Sequence, residues 1–499
     1  MRARYHRGPA MSGGPGAADS AAGWSWRTAV AMRRAYGLVP DVVRHPFPDR
    51  FVAGGAAVVA VGCWWHDIWL LAAAIVVVLG VCGWGEPAVV RAFLVLVVLG
   101  GAAMMRADAS WENLAPSELG TYEGRCTLVD DPQPYERATR MLVEIEGERF
   151  EVWARGRAIR QRVASWRAGE TVLASGDRRA LRPDRRVRVA WQHVVGEFRL
   201  DWVSDVLPGS PVSTASNRVR AALERAATAL PADDGALYRG LVVGDDRDQP
   251  RVMIERFRAS GLSHLTAVSG QNVSFVLMAA APFLRVLRPG WRWAVTLGLI
   301  LWFVSLTRFE PSIVRAGAMA SLSATAFVLG RERSPVRILW LAVTGLLLID
   351  PLLVRSVGFW LSVGATAGVS AVGPRLARRL SALGLLATPV GVTLGAQVGV
   401  VVPAVLVFGR LPLVSVPANL LAVPVAGFVM LYGLPAGLLA GAVPAVAPVV
   451  MFPCRVGVRW VDTIAVLGAH LEPGGTATWV GWVVLAVVLA PVAVVRRRA

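Results

Sequence analysis

The residues of this chain most able to do chemistry are polar side chains set into apolar sequence. The densest group lies in Phe257–Val273, where an amphipathic approach carrying Ser260, Gly261, His264, Ser269, Gly270, Gln271 and Asn272 runs straight into a long apolar segment. Further on stand Arg315 in Pro311–Ala316, Gln397 in Gly395–Val398, and Asn419 between Pro417 and Pro424. A polar group in such a place is costly unless it faces protein, water or a passing substrate. His264, Ser269, Gly270, Asn272, Arg315, Gln397 and Asn419 are therefore candidates for lining a polar path. Taken singly, each is as compatible with a helix–helix hydrogen bond. Arg315 is expected either to pair with nearby Glu310 or to snorkel. The prolines on either side of Asn419 suggest a broken helix, which is tolerated at depth where it lines a cavity.

A second set is basic. Residues 149–188 hold 12 arginines against 4 acidic residues, whereas 106–148 hold 4 arginines against 10 acidic residues. Arg149, Arg155, Arg157, Arg160, Arg162, Arg185, Arg186 and Arg188 are candidates for meeting phosphate, with Trp153, Trp166 and Trp191 available to stack on bases or to fill a core. A solvated surface, or an arginine face on lipid headgroups, accounts for the charge equally well. Asp245, Asp246 and Asp248 lack a regular ligand pattern and are expected to cap and turn the chain rather than hold calcium or magnesium. The four cysteines form no C-x-x-C pair and the six histidines no H-x-H or H-E-x-x-H, so neither a metal centre nor a disulfide framework is supported. No P-loop is present, so energy for transport is expected from outside. No cofactor, hydrolase or nuclease motif is evident.

These residues are positioned by a membrane protein. Of the 499 residues 55% are apolar and 17% charged, the mean hydropathy is +0.51, and soluble domains are less apolar and more charged. The net charge is +18 and every basic residue is arginine, which suits bidentate oxyanion binding and is equally the mark of a GC-rich genome. The fold class expected is a polytopic α-helical membrane protein of about 11–12 spans with an inserted small β-barrel. Residues 1–50 read as a cytoplasmic, disordered leader and 51–105 as N-terminal transmembrane helices. Residues 106–205 read as an extracytoplasmic β domain with strands at Arg140–Ile145, Phe150–Trp153 and Arg186–Trp191 and turns at Asp130–Pro132, Glu146–Glu148 and Ser175–Asp177. Residues 206–260 form an amphipathic connector, with a surface helix over Asn217–Leu230, and 261–499 hold the remaining spans. Arginines recur on alternate loops, at Arg285–Arg292, Arg331–Arg337, Arg375–Arg379 and Arg496–Arg498. That alternation places both termini in the cytoplasm of a multi-pass cell-membrane protein.

At this point a resemblance becomes specific. Gly261-Leu262-Ser263-His264-Leu265 followed by Ser269-Gly270 resembles the signature of the ComEC family, the inner-membrane channel for DNA uptake in natural competence. Pro311–Met319, Ile349–Ser362 and Phe408–Pro424 resemble further family blocks in the same order and spacing, over roughly 235–440. The resemblance implies that the insert is an oligonucleotide-type (OB-like) barrel on the outer side and that the cargo is single-stranded DNA. It also implies a transport channel rather than an enzyme, working with the lipid bilayer, a separate DNA receptor, a cytoplasmic helicase or nuclease, and other copies of itself. Gln271-Asn272 stands where many members have Leu-His, so no role for that pair is carried over. Many members continue into a metallo-β-lactamase-like domain whose histidine-rich motifs have no counterpart here, so no nuclease activity is expected of this sequence. The alternative is a multi-pass transporter or scaffold for a lipid or small anion.

Overall fold

The computed structural model describes residues 47–65, 67–82, 86–266, 270–331 and 334–494. Nearly all of the expected leader, together with Ser269, Arg333 and Arg496–Arg498, lies outside them.

Three helices come first: α1 (Asp49–Trp65), α2 (Ile68–Cys82) and α3 (Glu86–Glu112). The β domain follows as β1 (Gly120–Leu128), β2 (Gln133–Pro134), β3 (Ala138–Ile145), β4 (Glu148–Arg155), α4 (Arg157–Val163), β5 (Thr171–Ala180), α5 (Pro183–Val189) and β6 (Val194–Val203). The strand order is β1-β5-β6-β4-β3, and Thr127 and Leu128 of β1 pair with Glu144 and Val143 of β3, which closes a five-stranded barrel. All pairings are antiparallel except β4 with β6. This is the Greek-key closure of oligonucleotide-type barrels, with β2 added at the edge of β3. Phe150, Phe198, Met141, Ile145 and Trp166 fill the interior, so Trp166 is core.

Two local expectations fail for identifiable reasons. Arg186–Trp191 does not form a strand, because Pro183 sits at the first helical position, Asp184 falls in the first turn, and an Asp184–Arg188 pair at 2.6 Å braces α5. Ser175–Asp177 is not a turn. It lies inside β5 at a register shift, where a side chain on Gly176 would collide with the Arg199 carbonyl of β6. The Glu146-Gly147 turn does form, both residues taking positive φ between paired Ile145 and Glu148.

The remaining helices are α6 (Pro211–Ala227), α7 (Ala232–Val243), α8 (Arg251–Ala259), α9 (Ser263–Thr266), α10 (Gly270–Val286), α11 (Pro289–Leu306), α12 (Pro311–Val328), α13 (Pro335–Ile349), α14 (Val357–Ala367), α15 (Gly373–Arg379), α16 (Ala387–Phe408), α17 (Ser415–Ala442), α18 (Ala447–Val450), α19 (Phe452–Leu471) and α20 (Gly475–Val494). Proline at the first turn opens α6, α11, α12 and α13, where its missing N–H is no loss. Among the described residues five helical stretches are long and apolar enough to cross a membrane: Val89–Glu112, Pro289–Leu306, Val357–Arg379, Ser381–Phe408 and Ser415–Ala442. Three shorter apolar helices accompany them, Ile68–Cys82, Pro335–Ile349 and Gly475–Leu485. Other expected spans are shorter or more polar: α10 has 17 residues and an internal proline, and α19 is amphipathic. The chain is a polytopic helical membrane protein with an inserted barrel.

The helix expected to break near Asn419 is continuous from Ser415 to Ala442. Pro417 falls in its first turn and removes no internal bond, and Pro424 removes one. A close helix contact lies elsewhere. Between α14 and α15 the chain adopts one π-helical stretch, Gly368–Val372, and Gly364, Gly368 and Gly373 meet Gly391, Gly395 and Gly399 of α16 backbone to backbone. A Cβ on Gly395 would sit 2.7 Å from the Gly373 nitrogen and 2.8 Å from the Gly368 carbonyl oxygen. Close approach of this kind needs small residues. Gly395→Val is expected to destabilise the solubilised protein by about 1–3 kcal/mol through overpacking, read as a lowered thermal midpoint; an unchanged midpoint would show that the seam yields.

Candidate functional site

The polar segments picked out in the sequence converge in space. Gly261, at φ +75°, packs against the loop before α17, where an added Cβ would lie 2.5 Å from the Ser415 Cβ; only glycine suits both the angle and the space. Ser415 is a hub. Its Oγ donates to the Pro412 carbonyl at 2.6 Å and accepts from Gln397 Nε2 at 2.7 Å, and its carbonyl accepts from Asn419 Nδ2 at 2.7 Å. Gly270 opens α10 beside Arg315 of α12, whose Nη2 would lie 3.2 Å from a Cβ there. Arg315 in turn donates to Ser362 Oγ of α14 through Nε at 3.0 Å and Nη2 at 2.7 Å. Segments at 260–273, 311–319, 349–362 and 408–424 therefore meet, although up to 160 residues separate them.

Gln397 and Asn419 come together through Ser415, and Gly270 meets Arg315. Asn272, 3% exposed, donates to the Leu241 carbonyl and fastens α10 to α7. His264 is exposed on α9 and hydrogen-bonds to the backbone of Gly261. The expected Arg315–Glu310 pair is absent: Glu310 precedes α12 without a side-chain capping bond and stays exposed, while Arg315 lies more than a turn further in and reaches α14.

A second site, not foreseen, joins barrel to helices. Asp131, in the loop after β1, accepts from Arg308 at 2.9 Å, Arg220 at 2.9 Å and the Ala168 N–H at 2.9 Å. Arg220 is 4% exposed, so α6 is not the surface helix expected of it. Asp245 accepts from Arg247 at 2.8 Å and Arg239 at 3.4 Å, and Glu224 joins Arg247 at 3.0 Å to Arg167 of the barrel. Asn217 accepts from Arg308 at 2.7 Å. The loop delivering Arg308 is strained: Arg308 and Phe309 both take positive φ, at 61° and 56°. Burial alone would raise the Asp131 carboxyl, but Arg220 and Arg308 outweigh it and hold it below its ordinary value; Asp245 behaves likewise through Arg247 and Arg220. Burial pushes neighbouring Asp130 up to about 6.

The barrel docks a second time. His193 Nε2 lies 3.0 Å from Asp350 Oδ2 at the end of α13, and Leu114, Ala190 and Leu352 form a small apolar cluster beside it. The basic set is thereby divided. Arg185 pairs with Glu151, Arg186 donates to the Trp111 carbonyl, Arg149 to the Gln192 carbonyl and Arg160 to that of Glu136. Arg162 pairs with Asp205 and Arg188 with Asp184 at the surface. Arg155 and Arg157 are exposed and make no ion pair among the described residues. Beside them Tyr135 and Trp153 lie 5.3 Å apart, with Arg185 5.8 Å over the Trp153 ring. Trp191 is half-buried.

A family model described as competence protein matches residues 241–498. The chain is 31% identical over 223 residues to competence protein ComA of Neisseria gonorrhoeae, a stretch covering 42% of this chain and 31% of that protein. It is 31% identical over 215 residues to ComE operon protein 3 of Bacillus subtilis, covering 42% and 27%. It is 26% identical over 223 residues to the uncharacterized protein YcaI of Escherichia coli, covering 40% and 28%. The matches thus span less than a third of each of these relatives. No solved structure gives a match.

Removing Asp131 leaves Arg308 buried without a carboxylate and Arg220 with only Asp245, 3.7 Å away, so Asp131→Ala is expected to cost about 3–5 kcal/mol and to expose the barrel–helix junction to protease. The pH dependence has a fixed sign. Because the folded pKa of Asp131 and of Asp245 is depressed, their stabilisation is complete above the unfolded value of about 4. It is lost as pH falls through the folded values. Asp130 acts oppositely, its burial cost easing as pH drops through about 6. Thermal midpoints of the wild type should hold down to roughly pH 4 and fall below it, a fall that Asp131→Ala should blunt; an equal acid fall in both would sever the link to this carboxylate.

Proposed function

We propose, for a chain that belongs to the competence protein family, that it is a cell-membrane channel for uptake of single-stranded DNA in natural transformation. On this reading it is a multi-pass transport protein rather than an enzyme, with both termini in the cytoplasm and the 106–205 barrel outside. The observation that carries the reading is that the family match, 241–498, contains the contacts by which the four polar segments meet in pairs, at Ser415 and at Arg315.

The barrel supports it from the other side. Oligonucleotide-type barrels bind on the face of their second and third strands and the loops flanking it. Here those strands are β3 and β4, which carry Trp153 and Arg155, with Tyr135 on the adjoining loop. A strand bound there has aromatic faces for its bases and exposed Arg155, Arg157 and Arg162 for its phosphates. It then passes to His264, Ser269, Gly270, Asn272, Arg315, Gln397 and Asn419 in the helical block. A separate receptor would deliver DNA, a cytoplasmic helicase or nuclease would draw or trim it, and copies of the chain would assemble with one another.

Binding of a single-stranded oligonucleotide to the purified full chain should weaken steeply with salt, as phosphate contacts require. Trp153→Ala should weaken it roughly fivefold to a hundredfold, the worth of one stacked base at about 1–3 kcal/mol. Absence of binding at low salt removes the DNA role from the barrel. In cells, His264→Ala should cut transformation at unchanged protein level.

A further inference from the structure

Four arginines are buried to less than a tenth among the described residues: Arg140, Arg178, Arg220 and Arg315. Three have carboxylates. Arg140 pairs with Glu151, Arg178 with Glu118 and Glu146, and Arg220 with Asp131. Arg315 has none among the described residues. Its Nε and Nη2 share the single Ser362 hydroxyl, and its Nη1 points at Met319 Sδ 2.9 Å away. One hydroxyl and a thioether do not balance a unit positive charge, and a buried charge without a counter-charge costs several kcal/mol. Such a group inside a membrane protein marks a place where an anion completes the site.

Its position narrows the choice of anion. The loop leading into α12 carries Arg308, which holds the barrel at Asp131. Asp350, shortly before α14, holds the barrel at His193. Arg315 lies about one turn into α12 and Ser362 about a turn and a half into α14, joined across the gap between the two helices. The Arg315–Ser362 bond thus links the helix entered just after Arg308 to the helix entered seven residues after Asp350. Gly270 borders the guanidinium, and any side chain there would meet Arg315 at 3.2 Å and the Ala316 Cβ at 2.9 Å. The glycine itself puts no side chain against the guanidinium.

We propose that Arg315 and Ser362 form a charge-selecting latch at the entrance between α12 and α14, an inference that rests on the DNA-channel reading above. In the empty protein the Ser362 hydroxyl holds the guanidinium in place. A phosphodiester oxygen of the entering strand displaces the hydroxyl, and the planar fork binds the phosphate through two parallel N–H donors. Cargo without a backbone anion cannot make the exchange, so the latch passes nucleic acid and resists neutral and cationic solutes. No bond is made or broken covalently, and the hydroxyl re-forms its contact when the strand has passed.

The test uses the full chain in a transformable host, with the purified protein alongside. Ser362→Asp supplies Arg315 with a permanent internal carboxylate. It should keep or raise the thermal midpoint while cutting uptake of single strands at least tenfold, whereas Ser362→Asn should stay within about threefold of wild type. Arg315→Met removes an unbalanced charge and should also keep or raise the midpoint while cutting uptake tenfold; Arg315→Lys should retain more uptake than Arg315→Met. Oligonucleotide binding at the barrel should be the same in all four. Normal uptake in Ser362→Asp or Arg315→Met cells overturns the latch, and so does a parallel fall of midpoint and uptake in Arg315→Met and Arg315→Lys alike. A rise in midpoint with inorganic phosphate, combined with normal uptake in Ser362→Asp cells, assigns the site to a free anion and overturns it as well. Wild-type uptake in cells lacking the whole chain would instead dispose of the channel reading itself.

Discussion

The interaction on which the structure turns is the buried charge cluster around Asp131. Arg220 lies on α6 and Arg308 in the loop between α11 and α12, and neither tolerates burial alone. One carboxylate from the barrel satisfies both, with the Ala168 N–H as a third donor. The barrel is thus held largely by ion pairs that cross the junction in both directions, Asp131 to Arg220 and Arg308 and Arg167 to Glu224. The apolar contact at the second dock, Leu114 with Ala190 and Leu352, is small by comparison. The left-handed conformations of Arg308 and Phe309 follow from the same demand, since the loop into α12 must turn sharply to bring the guanidinium to Asp131. Asp245 and Glu224 carry the network outward until its last members reach solvent.

Arginine is used in this molecule in two opposite ways. At the junction, buried guanidiniums are balanced and act as structure. About one turn into α12, Arg315 is buried against a hydroxyl and a thioether. The contrast is a difference in counter-charge rather than in depth, and it separates the arginines that hold barrel to helices from the one to which the proposed latch assigns an anion. The glycines serve the same division. Gly364, Gly368, Gly391, Gly395 and Gly399 bring two helices into backbone contact, whereas Gly261 and Gly270 keep space beside polar groups.

Much of this was legible in the sequence, and the failures are informative. Apolar runs and arginine-bearing loops gave the membrane class, and short alternating segments gave a barrel. Periodicity misled at Arg186–Trp191, because a proline and an aspartate at a helix start outweigh a brief two-residue alternation. The convergence of the four polar segments was visible only as a resemblance, since contacts such as Gly261–Ser415 carry no periodic signal. Asp131 read as a turn residue, with no sign in the sequence that Arg308 is its partner. Their pairing across 177 residues is a tertiary fact, and the one hint was an acidic pair set before a proline in a chain otherwise rich in arginine. Glu310 was the nearest acid to Arg315 in sequence, but helix geometry carries the two apart.

Cells lacking the gene, and the same cells expressing the intact chain again, offer the most direct measure of the central claim. The quantity to count is single-stranded donor DNA recovered from the cytoplasm after exposure to labelled duplex. The account predicts recovery at background without the chain and restored with it, while DNA bound at the cell surface stays the same in both. Equal cytoplasmic recovery in the two strains would contradict it.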